Sequence, residues 1–376
     1  MEPSIYSFSL CIALPLMLFF GFYFLFAKTP EKKIFENYLR SRRIMGVALL
    51  LLAANYSVHF FLGIRFQNVN SAILMNLSTY FLCYYLFSSA MITLLDRFYI
   101  TRKRSRTHII LWVIFSILSG VVLLLLPGGT MQKIGLLVLA AWLVIYGLML
   151  ARRVIVAYRR AVRIFDDTHA DDIGAYIEWL SIFTYWAVIF GVGCGLLTFL
   201  PDKYVFIWIL SSIPFYSYLF YSYQNYLLFY EQVENAFEQD IQSEEKLLTD
   251  TETEPEIVSG EEVPVSYTEI IEKVDNWIKA DGYVQQGLTI KELSKILYTN
   301  RTYLSAYIKT TYKMTFREWI TGLRLEYAKN ILKENPKINI QKLAESSGFL
   351  SRSNFIKSFT EKEGCTPAKW KKANLE

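Results

Sequence analysis

Residues 346–371 read Ser346-Ser347-Gly348-Phe349-Leu350-Ser351-Arg352-Ser353-Asn354-Phe355-Ile356-Lys357-Ser358-Phe359-Thr360-Glu361-Lys362-Glu363-Gly364-Cys365-Thr366-Pro367-Ala368-Lys369-Trp370-Lys371. Ser347-Gly348-Phe349 is a turn, and a helix follows over 351–361. Phe355 and Phe359 lie four apart, so they share one face and point inward. Arg352, Ser353, Ile356 and Lys357 point outward. Just upstream, Ile340–Ser346 is read as a short helix. Two short helices around a tight turn make a helix-turn-helix.

The same layout occurs some fifty residues earlier. Thr289 caps a short helix over 289–297, and Glu292, three residues on, completes a capping box. Leu293 and Ile296 are expected to face inward. After the turn Tyr298-Thr299-Asn300, a second helix over 301–311 carries Leu304 and Ile308 inward and Thr302, Ser305, Ala306 and Lys309 outward. A longer helix over 316–333 links the two units. An amphipathic helix over 267–279 precedes them, with Ile270, Ile271, Val274, Trp277 and Ile278 on its apolar side.

These residues resemble the DNA-binding domain of the AraC family of transcription regulators. The second unit carries most of the likeness: Leu343-Ala344, Gly348-Phe349, Ser351-Arg352-Ser353, Phe355, Phe359, Gly364-Cys365-Thr366-Pro367 and Trp370-Lys371. Tyr303-Leu304-Ser305 and Arg324-Leu325, with Ala328, extend it to the first unit and the linking helix. The resemblance covers residues 267–372. It implies two recognition helices entering successive major grooves about 34 Å apart, one turn of DNA. The implied contact residues are Thr302, Ser305 and Lys309 in the first unit, and Arg352, Ser353, Ile356 and Lys357 in the second. Two positions depart from the family. Lys313 stands where a Gly is frequent, which has a cost if the backbone there is left-handed. Ala306 stands where a base is frequent, and alanine cannot read a base edge by hydrogen bond. The first unit is therefore expected to contribute shape fit and phosphate contacts.

Charge supports the same direction. Residues 265–376 hold nineteen Lys and Arg against twelve Asp and Glu, the electrostatic footprint of a nucleic-acid binder. A basic surface beside a membrane also suits anionic lipid. The connector, 231–264, is the reverse: twelve acidic residues face the single base Lys246. Tyr230, Val233, Phe237, Ile241 and Leu248 keep near-helical spacing. Residues 230–248 therefore either prolong the preceding helix and pair two copies as a short coiled coil, or form a solvated amphipathic helix. Residues 249–264 are a flexible tether, whose acidity either masks the basic head or only keeps the tether extended.

Upstream of Tyr230 the chain turns apolar, within an overall composition that is 53% hydrophobic. Seven stretches are read as spans: 6–27, 44–62, 72–95, 109–126, 134–149, 177–200 and 204–230. A helix needs about 20 apolar residues to cross the hydrocarbon core, and the fifth stretch is the shortest. The first lacks the basic flank of a secretory signal and is read as retained. Basic residues alternate by loop. Lys28, Lys32, Lys33, Arg40, Arg42 and Arg43 follow the first span; Arg97, Arg102, Lys103, Arg104 and Arg106 follow the third; Arg152, Arg153, Arg159, Arg160 and Arg163 follow the fifth. The remaining loops hold Arg65, Lys133 and Lys203 alone. By the positive-inside rule the N-terminus is outside and the C-terminus cytoplasmic.

Asn55, His59 and Asn76 are polar within spans, either as weak ligand candidates or as packing residues hydrogen-bonded between helices. Gly191, Gly193 and Gly195 follow no strand and are read as packing positions rather than a nucleotide loop. Cys11, Cys83, Cys194 and Cys365 have no metal or disulfide spacing.

The expected fold class is all-α. A seven-helix transmembrane domain (1–230) leads through an acidic linker (231–264) to a tandem helix-turn-helix domain (265–376). The expected function is a multi-pass, inner-membrane transcription regulator, not an enzyme, with no cofactor. Its expected partners are double-stranded DNA and the lipid bilayer. A homodimer through 230–248 and RNA polymerase are candidate partners. The rival reading is a receptor or transporter-like bundle with a cytoplasmic docking module.

Overall fold

The structure is a computed structural model and describes residues 5–197, 202–252 and 267–375. Those residues are overwhelmingly helical, and their β contact is an isolated antiparallel bridge between His169 and Thr289. The tether expected over 249–264 falls almost wholly outside the described residues. Two compact units are present. The first comprises Met1–Arg160 with Ile177–Glu231, and the second Ala161–Tyr176 with Gln232–Glu376. A short internal segment, 161–176, thus belongs to the same unit as the C-terminal head.

The first unit contains α1 (Ile5–Phe26), α2 (Glu36–Leu62), the one-turn α3 (Ile64–Gln67), α4 (Val69–Thr93) and α5 (Arg102–Gly120). It also holds most of α6 (Thr130–Thr168), α7 (Glu178–Leu197) and the first part of α8 (Asp202–Glu252). Among the described residues, five helical stretches are long and apolar enough to cross a membrane: Ile5–Phe26, Lys33–Leu62, Arg102–Leu125, Thr130–Thr168 and Ile173–Gly191. The expected third span is helical as α4 but more polar, and it uses that polarity on its neighbours. Asn76 Oδ1 lies 2.9 Å from His59 Nε2, Thr79 accepts from Asn55 Nδ2 at 3.1 Å, and Ser78 meets Ser116 at 2.7 Å. One helix overruns its expected end, and another prolongs the last span as one reading of 230–248 has it. Helix α6 continues past Met149 to Thr168, and α8 continues past Tyr230 to Glu252.

The head, within the second unit, contains α9 (Tyr267–Lys279), α10 (Ile290–Ile296), α11 (Arg301–Thr311) and α12 (Phe316–Glu334). It ends with α13 (Ile340–Ser346), α14 (Arg352–Glu363) and α15 (Pro367–Leu375). Helix α12 serves two separate cores. Its first half places Phe316, Trp319 and Ile320 among Ile270, Val274, Leu293, Leu304 and Ile308. Its second half places Leu325, Ala328 and Leu332 among Leu343, Phe349, Phe355 and Phe359. Each helix-turn-helix thus has its own apolar core, joined by one rigid element.

The inward positions differ from expectation at two sites. Leu297, not Ile296, completes the inner face of α10: Leu297 is buried, and Ile296 is exposed. In α9, Ile271 is also exposed. A seven-residue helix is too short for spacing alone to fix its inner face to the residue.

Candidate nucleic-acid interface

The two candidate recognition helices start from side-chain caps. Asn300 Oδ1 accepts the Tyr303 N–H at 2.6 Å, and Ser351 Oγ accepts the Asn354 N–H at 3.1 Å. Such caps satisfy helix N–H groups that have no partner within the helix. The helices preceding them are fixed in the same way, by the Thr289–Glu292 capping box of α10 and by Asn339 at α13. A second capping box, Thr315–Glu318, starts α12.

From those starts the outward faces follow. On α11, Thr302, Ala306 and Lys309 are exposed and Ser305 is half-buried. On α14, Arg352, Ser353 and Lys357 are exposed, while Ile356 is half-buried and packs on the second core. The faces align residue by residue from their caps, so Ala306 occupies the place that Lys357 occupies in the second unit. Lys313, just after α11, has φ 55. The residue type and the left-handed backbone are therefore mismatched, as the departure from the family pattern anticipates.

Arg324, in the middle of α12, is 1% exposed. Its guanidinium donates to the Tyr283 carbonyl at 2.8 Å, the Gln285 carbonyl at 2.7 Å and Asp171 Oδ1 at 3.0 Å. A planar group with several fixed donors suits three converging acceptors. Burial pushes the guanidinium below its ordinary range, opposed by Asp171. Burial also pushes the Asp171 carboxyl up, opposed by Arg324. The cost of desolvating both is repaid only by close geometry and saturated hydrogen bonding.

Asp171 comes from segment 161–176, which the sequence reading did not single out. The run Asp166-Asp167-Thr168-His169-Ala170-Asp171-Asp172 carries four carboxylates in seven residues. Ala170 sits in the first core, and its N–H donates to the Leu288 carbonyl at 3.0 Å beside the His169–Thr289 bridge. Burial and the nearby Arg301 hold the His169 imidazole down at about 4. Around this anchor the carboxylates reach the head's bases. Lys309 Nζ lies 2.7 Å from Asp167 Oδ2, Arg317 Nε 2.6 Å from Asp166 Oδ1, and Lys357 Nζ 3.0 Å from Asp172 Oδ2. Lys309 and Lys357 are two of the expected DNA contacts. The signal in the sequence was the acidic run itself, which follows directly on an arginine-rich stretch.

In the first unit, Asn55, His59 and Asn76 lie together where α2 meets α4. They are not among the residues lining a cavity of about 110 Å³ between Tyr56, Tyr84, Val144, Phe183 and Phe215. Gly191 lies against Tyr84, whose hydroxyl donates to its carbonyl at 2.6 Å. A Cβ at Gly191 would meet that hydroxyl at 3.1 Å, as a packing glycine requires.

Comparison with known proteins matches residues 293–373 to a class, a helix-turn-helix domain. The matched domain is of the AraC type. Similar regulators include the Msm operon regulatory protein of Streptococcus mutans, 29% identical over 30% of this chain and 42% of that protein. The melibiose operon regulatory protein of Escherichia coli K12 is 27% identical over 26% of this chain and 32% of its own length. An uncharacterised HTH-type regulator, YtdP of Bacillus subtilis, is 31% identical over 23% of this chain and 11% of its own. The chain therefore spans less than half the length of each of these relatives. No solved structure matches the chain.

Proposed function

We propose that the chain is a membrane-embedded, one-component transcription regulator. An apolar helical bundle anchors it and takes the signal, and two helix-turn-helix units bind promoter DNA on the cytoplasmic side. The observation that carries this reading is the conjunction of five long apolar helices with a matched helix-turn-helix domain in one chain. Within the head, Arg352 and Ser353 supply base-edge contacts from α14. Thr302, Ser305 and Lys309 supply mainly phosphate contacts from α11, and Ile356 supports its helix from below. The loop pattern of basic residues supports an outside N-terminus and a multi-pass inner-membrane location. Asn55, His59 and Asn76 act as packing residues, since their hydrogen bonds join α2 to α4. The part of α8 over 230–248 is the surface through which two copies would pair. RNA polymerase is the partner an activator of this design would meet.

Two measurements test the proposal. Cross-linking and sequencing of DNA bound by the full chain in cells should recover a discrete set of sites sharing one motif. Cytoplasm-dependent reporters fused after Arg104, Arg160 or Glu376 should be active, and silent after Asn68, Gly129 or Asp202. Activity at Gly129 overturns the topology, and a set of sites no richer than random DNA overturns the regulator.

A further inference from the structure

We propose that the acidic run 166–172 is a built-in competitor for DNA, seated on the reading face of the head. The inference rests on that face being the DNA-binding one, as proposed above.

Asp167 pairs with Lys309 on α11, and Asp172, five residues later, pairs with Lys357 on α14. One short segment therefore contacts both recognition helices at once. The phosphates of a bound duplex would seek the same ammonium groups, because a lysine offers its donors to any close anionic oxygen. Asp166 and Asp172 flank Arg317 at 2.6 and 3.8 Å, at the start of α12. Four carboxylates so placed would also repel a phosphate backbone laid over the same ground.

The segment is seated by more than charge. Ala170 is 3% exposed within the first core, its N–H bonds the Leu288 carbonyl, and Asp171 completes the set of acceptors around buried Arg324. This gives the seat a fixed register, with Asp167 on one side of the anchor and Asp172 on the other. The two outer pairs have exposed lysine partners and are individually weak, worth up to about fivefold each in an equilibrium. They are strong enough to bias DNA binding and weak enough to be displaced. The segment is continuous with α6 on one side and precedes α7 on the other. A shift of either helix would draw it from its seat. The acidic tether, by contrast, lies largely outside the described residues and is not needed for this competition.

The test uses the full chain in lipid nanodiscs. Asp167→Asn with Asp172→Asn removes both outer pairs and leaves Asp171 and Ala170 in place. Glu272→Gln with Asp275→Asn, exposed on α9, makes the same change in net charge. The first double variant should bind the recovered DNA motif about 3- to 10-fold more tightly than the unaltered chain; the second should change affinity by less than about twofold. A carbodiimide cross-link, which joins only touching carboxylates and amines, should form between Asp167 and Lys309 and between Asp172 and Lys357. Saturating DNA should suppress both. Equal affinity of the two double variants, or cross-links that persist undiminished on DNA, overturns the competitor. Failure of every variant to bind DNA overturns the regulator reading as well, so the two failures are distinguishable.

Discussion

In the first helix-turn-helix unit the Thr299 N–H donates to the Ser294 carbonyl at 2.9 Å; in the second the Phe349 N–H donates to the Ala344 carbonyl at 3.0 Å. The turns close by the same bond, and each places a left-handed residue just before it: Tyr298 with φ 52, Gly348 with φ 84. The recognition helices also end alike, at Lys313 with φ 55 and at Gly364 with φ 72. The second unit uses glycine at both left-handed positions and the first at neither. The second also presents Lys357 where the first presents Ala306. One architecture has thus been filled two ways. The second unit is locally relaxed and presents a lysine at that outward position; the first carries backbone strain and presents an alanine there.

The largest effect is expected at the joint between the units. Arg324→Leu leaves Asp171 buried without its cation and two carbonyls without donors, a loss of about 3–5 kcal/mol. Hydrogen exchange of the full chain should show protection falling in both units together. Loss confined to one unit would break the idea that α12 couples them. Gly348→Ala comes next. Its Cβ would lie 2.5 Å from the Val284 carbonyl oxygen, whereas a Cβ at Gly364 meets nothing within 4 Å. Backbone cannot yield as a side chain can, so Gly348→Ala is expected to cost about 3 kcal/mol. Gly364→Ala should cost only its left-handed strain, about 1 kcal/mol. Equal costs would mean that Gly348 is required for its φ alone.

This contrast also explains what the sequence made legible. The Thr289–Glu292 capping box, the turn glycine Gly348 and the inward pair Phe355 and Phe359 are local patterns, and each sits where spacing places it. Ile296, expected inward, is exposed and Leu297 is buried, because seven residues of helix leave the inner face ambiguous by one position. The run 166–172 was invisible as a partner for a different reason. Its contacts reach Lys309 and Lys357 across 142 and 185 residues. A run of carboxylates in a loop ordinarily reads as a solvated surface, and the more acidic stretch at 231–264 drew the masking role instead. Helix α6 hid its length because its last turns are charged, and hydropathy marks only the apolar part of a helix.

Readout separates the units at the next level. Arg352→Ala is expected to cost about 1–3 kcal/mol on the cognate motif and to relax preference at one base position. Lys309→Ala should weaken cognate and random DNA alike and reduce the salt slope by about one. Competition binding against a library of mutated sites measures both. If Arg352→Ala weakens all sequences equally, the second unit reads no base through that residue, and the two units are functionally the same.

The smallest expected effect tests the strain directly. A non-glycine residue in the left-handed region costs roughly 1–2 kcal/mol, and glycine loses about 0.5–1 kcal/mol more chain entropy on folding. The net gain for Lys313→Gly or Tyr298→Gly is then about 0.5–1 kcal/mol. Tyr298 is 83% exposed, so its ring gives up little packing when removed, and Lys313 closes a helix end where glycine is the usual residue. Both substitutions lie outside the apolar core, and they are far enough apart along the chain for their gains to add. Slower hydrogen exchange in α10 and α11, with α13 and α14 unchanged, is the expected signature. A gain at Lys313 but none at Tyr298 would show that the exposed tyrosine contributes to the first turn in a way that offsets its backbone. The parallel with Gly348 would then hold for geometry and not for energy.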